Sequence, residues 1–330
     1  MRAVEFDHPG PPDVLRLIET VPPTPKPNEI VIEVVSAGLN YADLLQRRGV
    51  YGLKPGAVER LGLECAGRVV AIGAEVTDVA LGDEVCALLA GGAYAEQVAV
   101  DAALVLRAPA GPTLDEVGAL PEMAATVWSN LIDLGGLRSG LDVLIHGGSG
   151  GIGSGAIQIA HAIGARVFTT CGSEEKAARC LALGADVVVN YRKTDFVETV
   201  LRETGGKGAD LILDNMGASY LARNIEASAM DARIVMIGVQ GGKIAEIDLG
   251  AMMEKRMALH VTSLRDRPLG ERARILAGVQ RDLWPLVERG ELSPVIDRVF
   301  PFDDVIAAHC HAESGDPVGK TLLRVGTPPR

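Results

Sequence analysis

Val143-Leu144-Ile145-His146-Gly147-Gly148-Ser149-Gly150-Gly151-Ile152-Gly153 lies near the middle of this chain and decides how the rest is read. Gly148, Gly150 and Gly153 fit G-x-G-x-x-G. An apolar strand pattern precedes them at 142–145, an apolar helix pattern follows at 154–163, and a second strand pattern comes at 165–170. Strand, glycine turn, helix and strand in that order predict half of a mononucleotide-binding unit. There the glycines let backbone N–H groups approach a pyrophosphate, and the helix N-terminus stabilises its charge. A glycine-rich turn alone is ordinary; its flanking elements give it weight.

Working outward, strand and helix patterns keep alternating: helices at 174–183, 194–204 and 218–230, strands at 186–189, 209–214 and 232–237. This predicts a doubly wound parallel sheet. Residues before about 122 read differently, as short strands at 29–35, 67–72, 84–89 and 94–100 separated by glycine turns, the spacing of a β-rich barrel or sandwich. Pro22, Pro23, Pro25 and Pro27 mark an extended connector. A helix is expected over 269–289, then a closing strand-helix-strand segment. The expected organisation is a β-rich domain over 1–122 and 266–330, with an α/β domain over 123–265 inserted into it.

The chain has 330 residues, beyond the roughly 250–300 at which one core stops growing. A net charge of −11 disfavours nucleic acid and anionic membranes as partners. No apolar run reaches the roughly 18 residues of a membrane span. The first eight residues hold no apolar signal core, so a cytoplasmic location is expected. Five scattered cysteines without a C-x-x-C pair read as free thiols.

A series of short motifs resembles one family nearly end to end. They are Gly38-Leu39-Asn40-Tyr41-Ala42-Asp43, Gly49-Val50-Tyr51, Gly62-Leu63-Glu64-Cys65-Ala66-Gly67, Gly73-Ala74-Glu75, Gly82-Asp83-Glu84, Gly92-Ala93-Tyr94, Thr126-Val127-Trp128, the glycine loop, Cys171-Gly172-Ser173-Glu174-Glu175-Lys176, Gly238 and Gly319-Lys320. Their order and spacing resemble the zinc-independent medium-chain dehydrogenase/reductases, in the quinone oxidoreductase and zeta-crystallin branch. The resemblance implies a GroES-like catalytic domain, an inserted Rossmann domain and NADPH in the cleft between them. It also implies a homodimer paired through an edge strand of the Rossmann sheet, for which 257–262 is the apolar candidate.

Zinc-dependent cousins carry a His in a Gly-His-Glu motif, where this chain has Gly62-Leu63-Glu64, and leucine cannot ligate zinc. Four closely spaced cysteines for a structural zinc are missing, and Cys86 stands alone. His309-Cys310-His311 points its imidazoles apart on a helix and reads as ordinary helix. No metal is expected. Hydride addition to an acceptor already electrophilic is what remains.

The place where NAD sites carry an acid holds Thr170-Cys171-Gly172-Ser173 instead. Ser173 and Lys176 can hold a 2′-phosphate, and the resemblance adds Tyr191. Ser173 serves equally as a helix N-cap. NADPH is therefore expected over NADH, bound by Gly148, Gly150, Gly151, Ile152, Gly153, Gly172, Ser173, Lys176 and Tyr191. Family position adds Asn40, Thr126, Asn215, Met216, Gly238, Val239, Leu264, Arg265 and Lys320 around the nicotinamide side.

Asn40 and Tyr51 are the catalytic candidates. The Tyr51 phenol can donate a proton to a developing enolate or phenolate, with water as the alternative source. Asn40 can bond cofactor or substrate, or simply occupy a turn. Asp43 is read mainly as a helix cap. The expected activity is NADPH-dependent reduction of a quinone, alkenal or enone. One alternative is an enoyl-thioester reductase, for which Arg47, Arg48, Lys54 and Arg60 offer a basic rim; another is a non-enzymatic NADPH-binding protein.

Overall fold

The computed structural model describes residues 1–51 and 59–326. They fold as two compact units, Met1–Ala125 with Arg265–Arg330, and Thr126–Leu264. The unit boundaries fall at 125/126 and 264/265, against 122/123 and 265/266 read from the sequence.

The first unit starts with β1 (Arg2–Glu5) and β2 (Arg16–Glu19), an antiparallel pair. Then come β3 (Glu29–Leu39), α1 (Tyr41–Arg47), β4 (Glu64–Ile72), β5 (Glu84–Leu88), β6 (Gln97–Asp101), β7 (Val105–Arg107), α2 (Leu114–Val117) and α3 (Pro121–Val127).

The second unit holds β8 (Asp142–Ile145), α4 (Gly151–Ile163), β9 (Arg166–Cys171), α5 (Glu174–Ala182), β10 (Val187–Asn190), α6 (Phe196–Glu203), β11 (Ala209–Asp214), α7 (Ala218–Ala227), β12 (Ser228–Met236), α8 (Leu249–Glu254) and β13 (Ala258–Val261). The chain returns to the first unit with α9 (Leu269–Asp282), α10 (Trp284–Glu288), β14 (Ile296–Pro301), α11 (Val305–Glu313) and β15 (Lys320–Arg324).

In the second unit all strand pairs are parallel, in the order β10-β9-β8-β11-β12-β13. This is the doubly wound Rossmann arrangement, with its order reversing between β8 and β11 and the glycine loop leaving β8 at that switch point. Leu144, Phe168, Ile212 and Ile234 are fully buried on successive strands and form the core with Phe196, Leu221 and Ile225 from the helices. Near-continuous apolar strands suit a sheet covered on both faces.

The GroES-like unit is a mixed sheet of order β14-β15-β3-β4-β5-β7, with β6 pairing on β3. Strand β3 runs four residues past the expected 29–35. Its end, Ser36-Ala37-Gly38-Leu39, pairs antiparallel with β15, which sets Thr321 opposite Leu39. The expected helix over 269–289 is two helices, because Pro285 supplies no N–H and α10 restarts at Trp284. The expected helix over 218–230 stops at Ala227, where Ser228 enters β12 beside Ala209.

Candidate active site

The second unit carries the nucleotide-binding candidates. Helix α4 begins at Gly151, three residues before the apolar run, and its N-cap Gly150 has no side chain to cap the free N–H groups. Gly147 has a left-handed φ of 68°, so the tight turn falls one residue ahead of the motif glycines. A Cβ at Gly153 would overlap the Gly147 carbonyl oxygen, so helix and turn touch only because a hydrogen is there.

Beneath the loop runs a polar network. The Gly147 N–H donates to Thr170 Oγ1 at 3.2 Å, and Thr170 Oγ1 lies 3.1 Å from His146 Nδ1. His146 Nε2 lies 2.7 Å from Asn224 Oδ1. Burial holds the His146 imidazole down at about 4, so it is neutral at physiological pH.

At the end of β9, a Cβ on Gly172 would sit 2.5 Å from the Tyr191 hydroxyl and 3.6 Å from Arg192 Nε. Gly172 therefore lies under these two side chains. Ser173 caps α5, its hydroxyl accepting the Lys176 N–H at 3.2 Å. Glu174 is drawn off by Lys193 at 2.8 Å and Asn190 at 2.9 Å. Tyr191 and Arg192 thus lie over Gly172, with Ser173 next in the chain and Lys176 in the first turn of α5. Arg192 escaped the sequence reading, although it adjoins Tyr191.

Burial pushes the Asp214 carboxyl up to about 6, against the pull of the Met216 and Gly217 N–H groups it accepts. It shapes the turn that presents Asn215 and Met216. The Asn215 Oδ1 is buried and has no hydrogen-bond partner among the described residues. Gly238 packs against the Asn215 backbone, and the Gly241 N–H donates to the Met216 carbonyl at 2.7 Å, so the turns bearing Met216 and Val239 are tied together. Thr126 is buried, and a π-helical segment follows it over Trp128–Leu134. Asn130 in that segment accepts the Thr262 hydroxyl at 2.6 Å, and Leu264 is buried at the end of the unit.

The first unit carries the acceptor-side candidates. Asn40 caps α1 after β3, and Asp43 reaches back to accept the Asn40 N–H at 2.9 Å. Asp43 also accepts the Gly62 N–H at 2.8 Å and the Tyr94 hydroxyl at 3.3 Å. It is fully buried, and burial lifts it to about 6 against those N–H donors. Asn40 Nδ2 donates to Glu64 Oε1 at 2.8 Å, and Lys320 Nζ donates to Asn40 Oδ1 at 2.5 Å and to Glu64 Oε1. Glu64 Oε2 accepts the Glu122 N–H at 2.8 Å. Lys320, a cofactor candidate in the sequence, is thus committed to a buried ion pair. Tyr51 is half-buried, and the Arg265 guanidinium lies 5.3 Å from its ring centroid while donating to Gln46 Oε1 at 2.7 Å.

The basic rim is weakened as an anion site. Arg47 is fully buried, bonded to Glu313 and to the Gly10 carbonyl at 3.1 Å; Arg48 pairs with Glu313 at 2.9 Å and Arg60 with Glu5 at 3.8 Å. Lys54 lies outside the described residues. His309 is buried beside Arg47, and His311 pairs with Asp297 at 2.5 Å. Among the described residues no group of three or more His, Cys, Asp or Glu is placed to hold a metal.

Residues 26–110 match the family described as alcohol dehydrogenase GroES-like domain, and residues 151–273 that described as zinc-binding dehydrogenase. Quinone oxidoreductase 1 of Escherichia coli K12 is 30% identical over 97% of this chain and 98% of its own length. A phenolphthiocerol/phthiocerol polyketide synthase of Mycobacterium tuberculosis is 31% identical over 98% of this chain, which spans only 15% of that protein's length.

Among solved structures, an NAD-dependent alcohol dehydrogenase matches with TM-score 0.88 and 32% identity, covering 99% of this chain and 100% of its own. The Escherichia coli quinone oxidoreductase complexed with NADPH has TM-score 0.87 and 29% identity over 98% of this chain and 100% of its own. The CurK enoyl reductase has 0.86 and 27% over 98% and 99%. Fold and comparisons make the chain a member of the medium-chain dehydrogenase/reductase family, a family of oxidoreductases. Within it, its relatives include the quinone oxidoreductases.

Proposed function

We propose that the chain is an NADPH-dependent, zinc-independent reductase of quinones or activated alkenes. The observation that carries the cofactor assignment is the patch at the end of β9. A phenol and an arginine lie over Gly172, with the Ser173 hydroxyl beside it and Lys176 in the following helical turn, where an acid would be needed to bond a free ribose 2′-OH. The uncapped first turn of α4 would take the pyrophosphate, and the orphaned Asn215 Oδ1 would accept from a group of the bound nucleotide. When bound, NADPH supplies hydride to an electron-poor carbon. The chain's own residues do the rest: Asn40 orients through its bonds to Glu64 and Lys320, and the Tyr51 hydroxyl donates to the acceptor oxygen. Leu63, buried where cousins place a zinc ligand, makes the reading metal-free.

The test is a pair of dissociation constants. A hydrogen bond to a charged group is worth about 1.5–3 kcal/mol net, so Lys176→Ala should weaken NADPH about tenfold or more and leave NADH unchanged. Fluorescence titration of both nucleotides reads this out. Equal affinities in the wild-type protein would overturn the 2′-phosphate assignment, and the NAD-dependent structural relative makes that comparison the sharp one.

A second reading, enoyl-thioester reduction, is favoured by the likeness to the CurK enoyl reductase. It loses part of its basic rim to Arg47. Turnover of a crotonyl thioester above that of quinones and alkenals would select it. A protein inert with the whole panel would be the non-enzymatic alternative.

We also propose a homodimer through β13, the outer strand of its sheet. The Thr262 N–H donates to the Met236 carbonyl, so by alternation the Leu259 N–H points to the open edge. Val261 on this strand is an exposed large apolar side chain, and an apolar edge needs cover. Leu259→Pro should therefore convert a dimer into a monomer in sedimentation while its pairing to β12 survives. A wild-type monomer at micromolar concentration would refute this.

A further inference from the structure

His146 follows β8 directly and is buried between Thr170 and Asn224, which are buried too. All three belong to the second unit. Phe196 and Tyr220 close on the imidazole edge-on, their ring centroids 4.8 and 4.9 Å from its own. The Asn224 side chain lowers the Asp214 carboxyl, so the N–H side of its amide faces Asp214 and Oδ1 faces His146. An amide oxygen can only accept. His146 Nε2, 2.7 Å away, therefore carries the one proton of the neutral ring. Nδ1 is left a bare acceptor, and the Thr170 hydroxyl at 3.1 Å donates to it. The Thr170 oxygen is then free to accept the Gly147 N–H at 3.2 Å. One amide oxygen thus sets the direction of every bond from α7 to the glycine loop.

The same strand holds the loop at its next residue. The Thr170 carbonyl accepts the Gly148 N–H at 3.0 Å, and a Cβ at Gly148 would overlap Thr169 Oγ1. The Gly150 N–H turns back to the Gly147 carbonyl at 3.0 Å. The N–H groups of Ser149, Gly151, Ile152 and Gly153 keep no partner among the described residues. We propose that His146 is a positioning residue of the nucleotide site: through Thr170 it fixes the Gly147 turn, and so aims those free N–H groups at the phosphate on the 5′ side of the nucleotide. The inference rests on the NADPH reading above. His146 itself touches no ligand. Without the Thr170 hydroxyl the Gly147 N–H loses its acceptor, the turn relaxes, and N–H groups that must first reorient hold a charge less well.

Three nucleotides separate this role from general loosening: NADPH, adenosine 2′,5′-bisphosphate, and adenosine 2′-monophosphate, which lacks the 5′-phosphate. Thr170→Val keeps the side-chain shape and removes the hydroxyl. It should weaken NADPH and the bisphosphate about tenfold and leave the 2′-monophosphate within about twofold. Thr170→Ser returns the hydroxyl and should restore both affinities to within about twofold. His146→Phe keeps a ring against Phe196 and Tyr220 but has no acceptor, and should give the same pattern as Thr170→Val. The double variant should bind no more weakly than Thr170→Val alone, because the two side chains act as one chain. In the nucleotide-free wild type, nitrogen-15 spectra of the imidazole should show the proton of His146 on Nε2 and none on Nδ1, a readout independent of binding and of how the variants fold. Wild-type NADPH affinity in Thr170→Val overturns the proposal. So does an equal loss for all three nucleotides, or a His146 proton on Nδ1. A wild-type protein that binds none of the three overturns the NADPH reading itself, and this role with it.

Discussion

Lys320→Met is expected to destabilise the protein by about 3–5 kcal/mol, because it strands the fully buried Glu64 carboxylate without its cation. Asn40 Nδ2 and the Glu122 N–H would still donate to Glu64, yet neither carries a full charge. The loss should appear as a lower urea midpoint of unfolding. Adding Glu64→Gln should recover part of the loss, since two neutral partners leave no buried charge. Equal midpoints for Lys320→Met and wild type would show that the pair does not form.

Tyr51→Phe is expected to lower enone turnover by about 10²–10³-fold, the typical cost of removing one preorganised donor to a developing oxyanion. The ring should stay in place, because the Arg265 contact needs only its face. Quinone turnover should fall far less, since the phenolate formed there is stabilised by its own ring and accepts a proton from water. NADPH affinity should be nearly unchanged. Steady-state kinetics with both acceptors and a nucleotide titration check this. A collapse of NADPH affinity would move Tyr51 to the cofactor side, and a small loss with both acceptors would leave it a packing residue.

Some of this architecture was legible before any coordinates. The doubly wound sheet follows from strand and helix periods that need only neighbouring residues, and Gly153 announces a contact where no side chain fits. The motifs Gly62-Leu63-Glu64 and Gly38-Leu39-Asn40 point to one family, and the comparisons agree. Local signals failed where local preference was overruled. The glycines at 151 and 153 hide the first turn of α4, whose helical shape comes from its place on β8. Residues 36–39 are small and weakly β-forming, and they extend β3 only because β15 pairs with them.

The amino-acid order by itself determined the fold class, the phosphate-loop candidate and the missing zinc ligand, because each is written in adjacent residues or in short spacings. Only the tertiary structure decided what the polar side chains do. The β3–β15 register sets Thr321 opposite Leu39, and this brings Lys320 onto Asn40 and Glu64 across a separation of 280 residues from Asn40. The same packing lifts the Glu122 carboxyl to about 8, buries Arg47 against Glu313, and gathers Tyr191 and Arg192 over Gly172. A carboxyl's proton and a lysine's partner depend on which charges and how much water surround them, and those surroundings exist only once distant strands have paired.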